Sequence, residues 1–391
     1  MRIAWIWLLM VPFQVGEPSR LTRLSGEAVD GDPVSLSTGL YWRSDEDVEI
    51  AGTSVALTRT YRTRDEARRP FGVGVSHSYN LYLVGDAKAF QWADLILADG
   101  GRIHYRRVSS GRTKVDAVFE HTESPTEFYG SLLQWNGGGW NIDFRDGSRY
   151  AFGACTPGGS DVCHVLVERD KDGNETRLDY EPVTDDLARI SVDEGRWIAL
   201  NYDASHHIVA SRASTGGSVR YEYNAAGDLV RASRSDGRVQ EYTYGPHHEV
   251  LTIREPDREI VNTYDAALRC VKQVIARGRR SEPAQGAPEV FQFSYRANAQ
   301  NRIVETRIVQ PTGTLRVATF NVNGYLVTDT TDLGGPSFTQ VIYARDEKTN
   351  LSPRVTVRCS VGGQIVEAFA TVSEFEHPDE VRGALLTRTC R

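Results

Sequence analysis

The chain has 391 residues, long enough for two or three domains, and it opens on Met1. Its 45 basic and 52 acidic residues give a formal net charge of −7 and are mixed along the sequence. No basic stripe points to nucleic acid, and no polybasic patch points to a membrane surface.

The first sixteen residues, MRIAWIWLLMVPFQVG, hold one cation, Arg2, and an apolar run from Ile3 to Val15. That run is too short to span a bilayer and suits the core of a signal peptide, so residues 1–16 are predicted to direct export. A buried amino-terminal strand is the alternative, because no Ala-x-Ala cleavage site follows. Residues 17–30 are polar and read as a lead-in.

From about residue 30 to 152 the chain is a series of strand-like runs broken by turn signals, among them Asp99-Gly100-Gly101 and Asp146-Gly147. A β-rich amino-terminal domain is predicted there. Cys155 and Cys163 flank the loop TPGGSDV and could close it as a disulfide in an oxidising compartment. Cys359 and Cys390 could form a second bridge, leaving Cys270 over; five free thiols are the alternative, since spacing alone pairs no cysteines.

From 153 to 345 the sequence repeats itself. Aromatic residues return at Tyr180, Tyr202, Tyr223, Tyr244, Tyr264, Tyr295, Phe320 and Tyr343, the first four gaps being 22, 21, 21 and 20 residues. Gly173, Gly195, Gly216, Gly237 and Gly313 stand seven residues before Tyr180, Tyr202, Tyr223, Tyr244 and Phe320. Asp236-Gly237 is the sharpest turn signal of the set, because a two-residue hairpin turn needs positive φ. Two residues before each aromatic stand Leu178, Leu200, Tyr221, Tyr242, Asn262, Phe293, Ala318 and Val341, apolar or aromatic except at Asn262. Alternating with a polar column, they predict strands with one apolar face. Such hairpins cannot bury that face alone, so stacking of neighbouring copies, with the aromatics forming a ladder, is expected to bury it. The stretch RGRRSEPAQGAPE, 277–289, reads as an inserted loop and accounts for the 31-residue gap before Tyr295. After Tyr343 the motif fades, and residues 346–391 read as a β-rich cap or tail.

The copy YNAAGDL, followed by SDGR and YTY, resembles the YD repeat of the RHS (rearrangement hotspot) family of bacterial exported proteins. GDPVSLSTGLYWRSDEDVEI, VALTRTYRTRD and PFGVGVSHSYNLYL, between Gly31 and Leu83, resemble the domain that precedes the repeats in that family. The resemblance covers roughly residues 30 to 345. It implies an all-β fold: a YD-repeat hairpin array, an open or partly closed RHS-type shell, behind a β-rich amino-terminal domain. It also implies a shell that encloses a carboxy-terminal cargo, yet about eight repeats are few for a full shell. No Asp-Pro-rich core follows them; Asp32-Pro33 is the one Asp-Pro step. Encapsulation and autoproteolysis are therefore not expected to carry over.

Candidate chemistry is sparse. His206-His207 and His247-His248 occupy corresponding places where other copies carry turn residues such as Ala226-Gly227, so turn histidines are preferred to a metal site. Asp170, Asp172 and Asn174 resemble a calcium loop, but Gly173 sits before the third oxygen residue, which suits a hairpin turn. No nucleophile motif, Walker loop or zinc-protease motif is present. No catalytic residue, cofactor or metal is expected. The predicted structural residues are Gly195, Gly216 and Gly237 at turns and Tyr202, Tyr223 and Tyr244 in the ladder, with Cys155 and Cys163 as a candidate disulfide.

These readings point to a non-enzymatic exported scaffold, periplasmic, surface-bound or secreted. It would present, carry or partly enclose another polypeptide, whether cargo, toxin or shell-completing chain. A fragment of a longer polymorphic toxin and a glycan-binding surface protein are the rival readings. Neither nucleic acid nor a membrane span is expected.

Overall fold

The computed structural model describes residues 28–86, 91–124, 126–155, 162–192, 195–278, 286–361, 363–375 and 381–387. The expected signal segment at 1–16 and Cys390 lie outside the described residues. Among the described residues every named element is a β-strand. No helix among the described residues is long and apolar enough to cross a membrane.

The strands Tyr82–Gly85, Trp92–Ile96, Arg102–Arg107, Val118–Glu120, Leu132–Trp135, Trp140–Asp143, Arg149–Phe152 and Cys163–Arg169 pair antiparallel in succession. The last returns to the first through Cys163↔Leu83 and His164↔Tyr82, which closes a ring of eight strands. A ring of that size has an interior that side chains alone can fill. Leu83, Leu95, Tyr105, Phe119, Leu133, Ile142 and Tyr150 are buried in it. Cys155 and Cys163 form a disulfide that ties the end of Arg149–Phe152 to the closing strand. Cys359 is also disulfide-bonded, and Cys270 is a buried free thiol.

The strand Cys163–Arg169 is a branch point. Its first residues close the barrel, and its last, Val167–Arg169, pair with Glu175–Tyr180. From there a single antiparallel meander runs to Val381–Thr387, each strand pairing with the next in sequence. The stretch 277–289 links Cys270–Arg277 to Glu289–Ala297, which pair directly. Residues 279–285 of it lie outside the described residues.

Each repeat carries the same local chemistry. The turn glycines Gly173, Gly195, Gly216, Gly237 and Gly313 have φ of +90°, +75°, +110°, +88° and +83°. At Gly216 and Gly237 a side chain would meet no atom within 4 Å, so conformation and not space selects glycine. Beside Tyr180, Tyr202, Tyr223, Tyr244, Tyr264 and Phe320 the register slips by one residue, as at Asn201/Tyr202, Glu222/Tyr223 and Thr243/Tyr244. Such bulges bend the sheet and sharpen its twist. The extra residue is Val209, Val230 or Leu251, apolar and directly after the apolar residue that opens its strand.

The bulge sets the position of each tyrosine. Tyr202, Tyr223, Tyr244 and Tyr264 donate their hydroxyls to the carbonyls of Leu187, Ile208, Leu229 and Val250 at 3.0, 2.6, 2.8 and 2.8 Å. Each bond reaches the strand opened one repeat earlier, so the ladder is made of hydroxyl-to-carbonyl rungs. The apolar column Leu178, Leu200, Tyr221, Tyr242, Phe293 and Ala318 is buried, and so is Asn262.

Burial of that face differs from expectation. Neighbouring repeats meet edge to edge in one sheet, so they supply hydrogen bonds and cannot cover one another's faces. The cover comes from the chain's own amino-terminal segment, residues 28–80. It contains a three-stranded sheet, Trp42–Glu49 against Ala56–Arg62 against Val75–His77. Phe71 packs on Tyr221 with ring centroids 4.8 Å apart, and Tyr61 on Tyr244 at 6.4 Å.

Candidate functional site: the seam between the amino-terminal segment and the array

Along Trp42–Glu49 the odd-numbered residues Arg43, Asp45 and Asp47 face the array, as do Leu57, Arg59 and Tyr61 on Ala56–Arg62. Strand alternation thus turns a charged face inward, and every charge on it must find a partner.

Arg59, with a side chain 3% exposed, binds Asp47 through Nε and Nη2 at 2.9 and 3.1 Å. It reaches across to the array by donating to Tyr242 Oη and Gln240 Oε1, both at 2.9 Å. Tyr221 donates its hydroxyl to Asp47 Oδ2 at 2.8 Å. Arg43 holds Asp45 in a two-pronged pair at 2.8 and 2.7 Å and donates to Glu255 of the array at 2.6 Å. Arg258 answers from the array, donating to Asp32 at 2.6 Å and pairing with Glu255. Burial opposes ionisation of Asp45 and Glu255, but hydrogen bonds and charge from Arg43, joined by Arg59 at Asp45 and by Arg258 at Glu255, outweigh it and hold both carboxyls below their usual range.

The seam continues to either side. Asp32 and Gln273 exchange hydrogen bonds, and Gln273 donates to Asn262 Oδ1 at 2.9 Å. The polar exception in the apolar column is therefore where a polar stretch of the amino-terminal segment docks. Farther along, Thr306 donates to the Leu36 carbonyl and Arg316 binds Asp30 at 2.8 Å. Backbone bonds join Cys270 to Gly39, Ile208 to Pro70 and Val73 to Gly227. An open groove of about 1540 Å³ runs beside the network, with Asp32, Trp42, Arg43, Asp45, Glu255 and Arg258 in its walls. Asp32, Arg43, Asp45, Glu255 and Arg258 are bound to one another, so the arrangement fastens two parts of the chain.

The histidine pairs sit elsewhere. His206 and His248 take the left-handed position of the second turn of their repeats, φ +63° and +60°, where the intervening copy has Gly227 at +88°. His206 Nδ1 lies 2.8 Å from Asp186 and His248 Nδ1 2.5 Å from Asp228, so each binds the preceding turn. His207 stacks on Tyr223 with centroids 4.7 Å apart. The pairs stand on turns separated by that of Gly227 and are not gathered around one point. Asp170 caps its own hairpin, accepting from the amides of Asp172 and Asn174. Among the described residues no group of three or more His, Cys, Asp or Glu side chains is arranged to hold a metal ion.

Sequence reasoning missed Arg43, Asp47, Arg59 and Glu255. The one local signal is the run of charge at alternate positions beside Leu57 and Tyr61, in strands otherwise suited to burial.

The sequence matches two family models: DUF6531, a domain of unknown function, at residues 31–105, and the RHS repeat at residues 202–239. The first match contains most of the seam's amino-terminal half; the second contains Tyr221 and ends just before Gln240 and Tyr242. No curated protein matches the chain. Among solved structures it is similar to a Tc holotoxin pore of Photorhabdus luminescens, with 10% identity and TM-score 0.31 over 92% of this chain and 21% of that one. It is also similar to a TcdB2–TccC3 complex, at 12% and 0.32 over 92% and 23%, and to a porin-like protein of Bacteroides uniformis, at 10% and 0.25 over 68% and 96%. The chain thus spans about a fifth of the length of the Tc toxin chains, and these likenesses are too distant to bear on function.

Proposed function

We propose, on the premise of the RHS-repeat match at residues 202–239 behind the DUF6531 match at 31–105, that this chain is a non-enzymatic, exported β scaffold that presents, carries or partly encloses a partner polypeptide. The observation that supports the reading is the use of the chain's polar chemistry. The buried charges at the seam are consumed in fastening the amino-terminal segment to the array. The tyrosine hydroxyls are consumed in holding repeat to repeat. A chain whose chemistry is spent on building a sheet offers surface, and strand edges and solvent-facing sheet are surfaces that bind polypeptides.

Because the amino-terminal segment already covers the apolar face from about Ile198 to Ala318, a partner meets the solvent face, the turns or the later strands. Native mass spectrometry of the protein purified gently from its source tests this. A second polypeptide in fixed stoichiometry supports the scaffold reading. The chain alone, under conditions that preserve other complexes, together with turnover of a small substrate, would overturn it.

A further inference from the structure

The solvent face of the array carries a patch of three arginines that no carboxylate of the described residues binds. Arg189, Arg212 and Arg220 are exposed on the strands Leu187–Ser191, Ile208–Ala213 and Ser218–Tyr223, the first two separated by Trp197–Tyr202. Register places Ala199 between Arg189 and Arg212, and Ala210 opposite Arg220. The floor of the patch is thus two methyl groups and the indole of Trp197. The guanidiniums of Arg189 and Arg212 both lie on that indole, 4.6 and 5.8 Å from its centroid. Among the described residues none of the three arginines makes an ion pair or a side-chain hydrogen bond. Asp179 stands opposite Arg189 in register without engaging it. Elsewhere on this face arginines are matched with carboxylates, as in Arg231 with Glu222, Arg254 with Glu259 and Arg296 with Glu305.

Stacking on an indole fixes a guanidinium's plane while leaving its N–H edge free to grip a carboxylate with two bonds. Two such groups on one ring repel each other, and an anion relieves that repulsion. The spacing narrows the choice of anion. Arg212 and Arg220 are diagonal neighbours, about 7–8 Å apart at their origins. Arg189 and Arg212 are two strands apart, about 10 Å. Alternate residues of an extended chain project to one side about 6.8 Å apart, close to the first of these distances.

We infer that Arg189, Arg212, Arg220 and Trp197 form a docking platform for an extended acidic segment of a partner polypeptide, with carboxylates at alternate residues. The inference rests on the polypeptide-partner reading and names where and by what chemistry that partner is held.

The test uses the full chain and a fluorescein-labelled peptide of alternating Glu and Ser, followed by anisotropy at low and physiological salt. The control is the same peptide with Gln for Glu. A variant carrying Arg189→Ser, Arg212→Ser and Arg220→Ser should fold unchanged, since its side chains face solvent, and an unchanged melting curve verifies this. The expected result is about tenfold weaker binding for the variant and for the Gln peptide, with salt weakening the wild type most. Equal binding of Glu and Gln peptides, or of wild type and variant, would overturn the platform. So would binding of heparin or of inorganic phosphate with no binding of the Glu peptide. A partner held equally by wild type and triple variant in native mass spectra would sink the platform and spare the scaffold reading; loss of any partner from both would sink the two together.

Discussion

Replacing Arg59 by methionine removes the central cation of the seam and keeps most of its volume. Asp47, 2% exposed, would then keep the Tyr221 hydroxyl and lose both bonds to Arg59. Stranding one partner of a buried ion pair typically costs about 3–5 kcal/mol. Removing the second charge as well, in Arg59→Met with Asp47→Leu, should return at least about 2 kcal/mol of that loss, because a buried pair is often no better than an apolar replacement of similar volume. The hydroxyls left behind have other partners: Tyr221 is 2.9 Å from Ser211 Oγ, and Tyr242 donates to Gln240 at 2.9 Å. Equilibrium urea unfolding at pH 7.5, followed by tryptophan fluorescence, measures the cycle. A single variant that loses less than about 1 kcal/mol, or a double variant as unstable as the single, would refute the claim that Arg59 is needed chiefly to neutralise Asp47.

Valine at Gly216 or Gly237 should destabilise by about 1–2 kcal/mol, because φ of +110° and +88° is costly for a β-branched residue; an unchanged melting temperature would contradict the turn geometry. Tyr223→Phe should cost about 1 kcal/mol by deleting the rung to Ile208, and Tyr244→Phe a similar amount, both read from urea midpoints. His77 is buried, its Nδ1 accepts the Tyr79 amide, and burial pushes its pKa down to about 3. The unfolded chain therefore takes up a proton near pH 6.5 that the folded chain refuses. Stability is full above that pH and falls toward pH 3, by about 2 kcal/mol at pH 5, and His77→Gln should flatten the decline between pH 7 and 5. The Cys270 thiol, pushed up to about 12 by burial, should resist iodoacetamide in the native protein and react in urea, as mapped by peptide mass spectrometry.

The repeat was legible because its signals are local. A turn glycine, seven residues and an aromatic recur within a single hairpin, and the apolar column two residues earlier marks the face that is buried. The bulge was legible in principle: Ile208-Val209, Leu229-Val230 and Val250-Leu251 place two apolar residues side by side where strict alternation allows one. The cover over the array was not legible. Its contacts join residues far apart in the chain, such as Gln240 to Arg59, 181 positions apart, and Arg316 to Asp30, 286 apart, and one sequence does not record which distant charges meet. The closure of the barrel was hidden for the same reason, since Cys163↔Leu83 joins two strands that each read as ordinary. Asn262 looked like a fault in its column and is the point where Gln273 and Asp32 enter the core.

The central structural claim is that the chain covers its own array and so leaves other surfaces for a partner. A cysteine pair at Ala51 and Thr215 tests it most directly, since these exposed residues of segment and array share a hydrogen bond of 3.2 Å. The account predicts that Ala51→Cys with Thr215→Cys forms an intramolecular disulfide under mild oxidation, seen as a faster band on a non-reducing gel, in the isolated protein and in its complex alike. A pair that stays reduced in the isolated protein, or that forms there and is lost in the complex, would show that the array's apolar face is open to the partner.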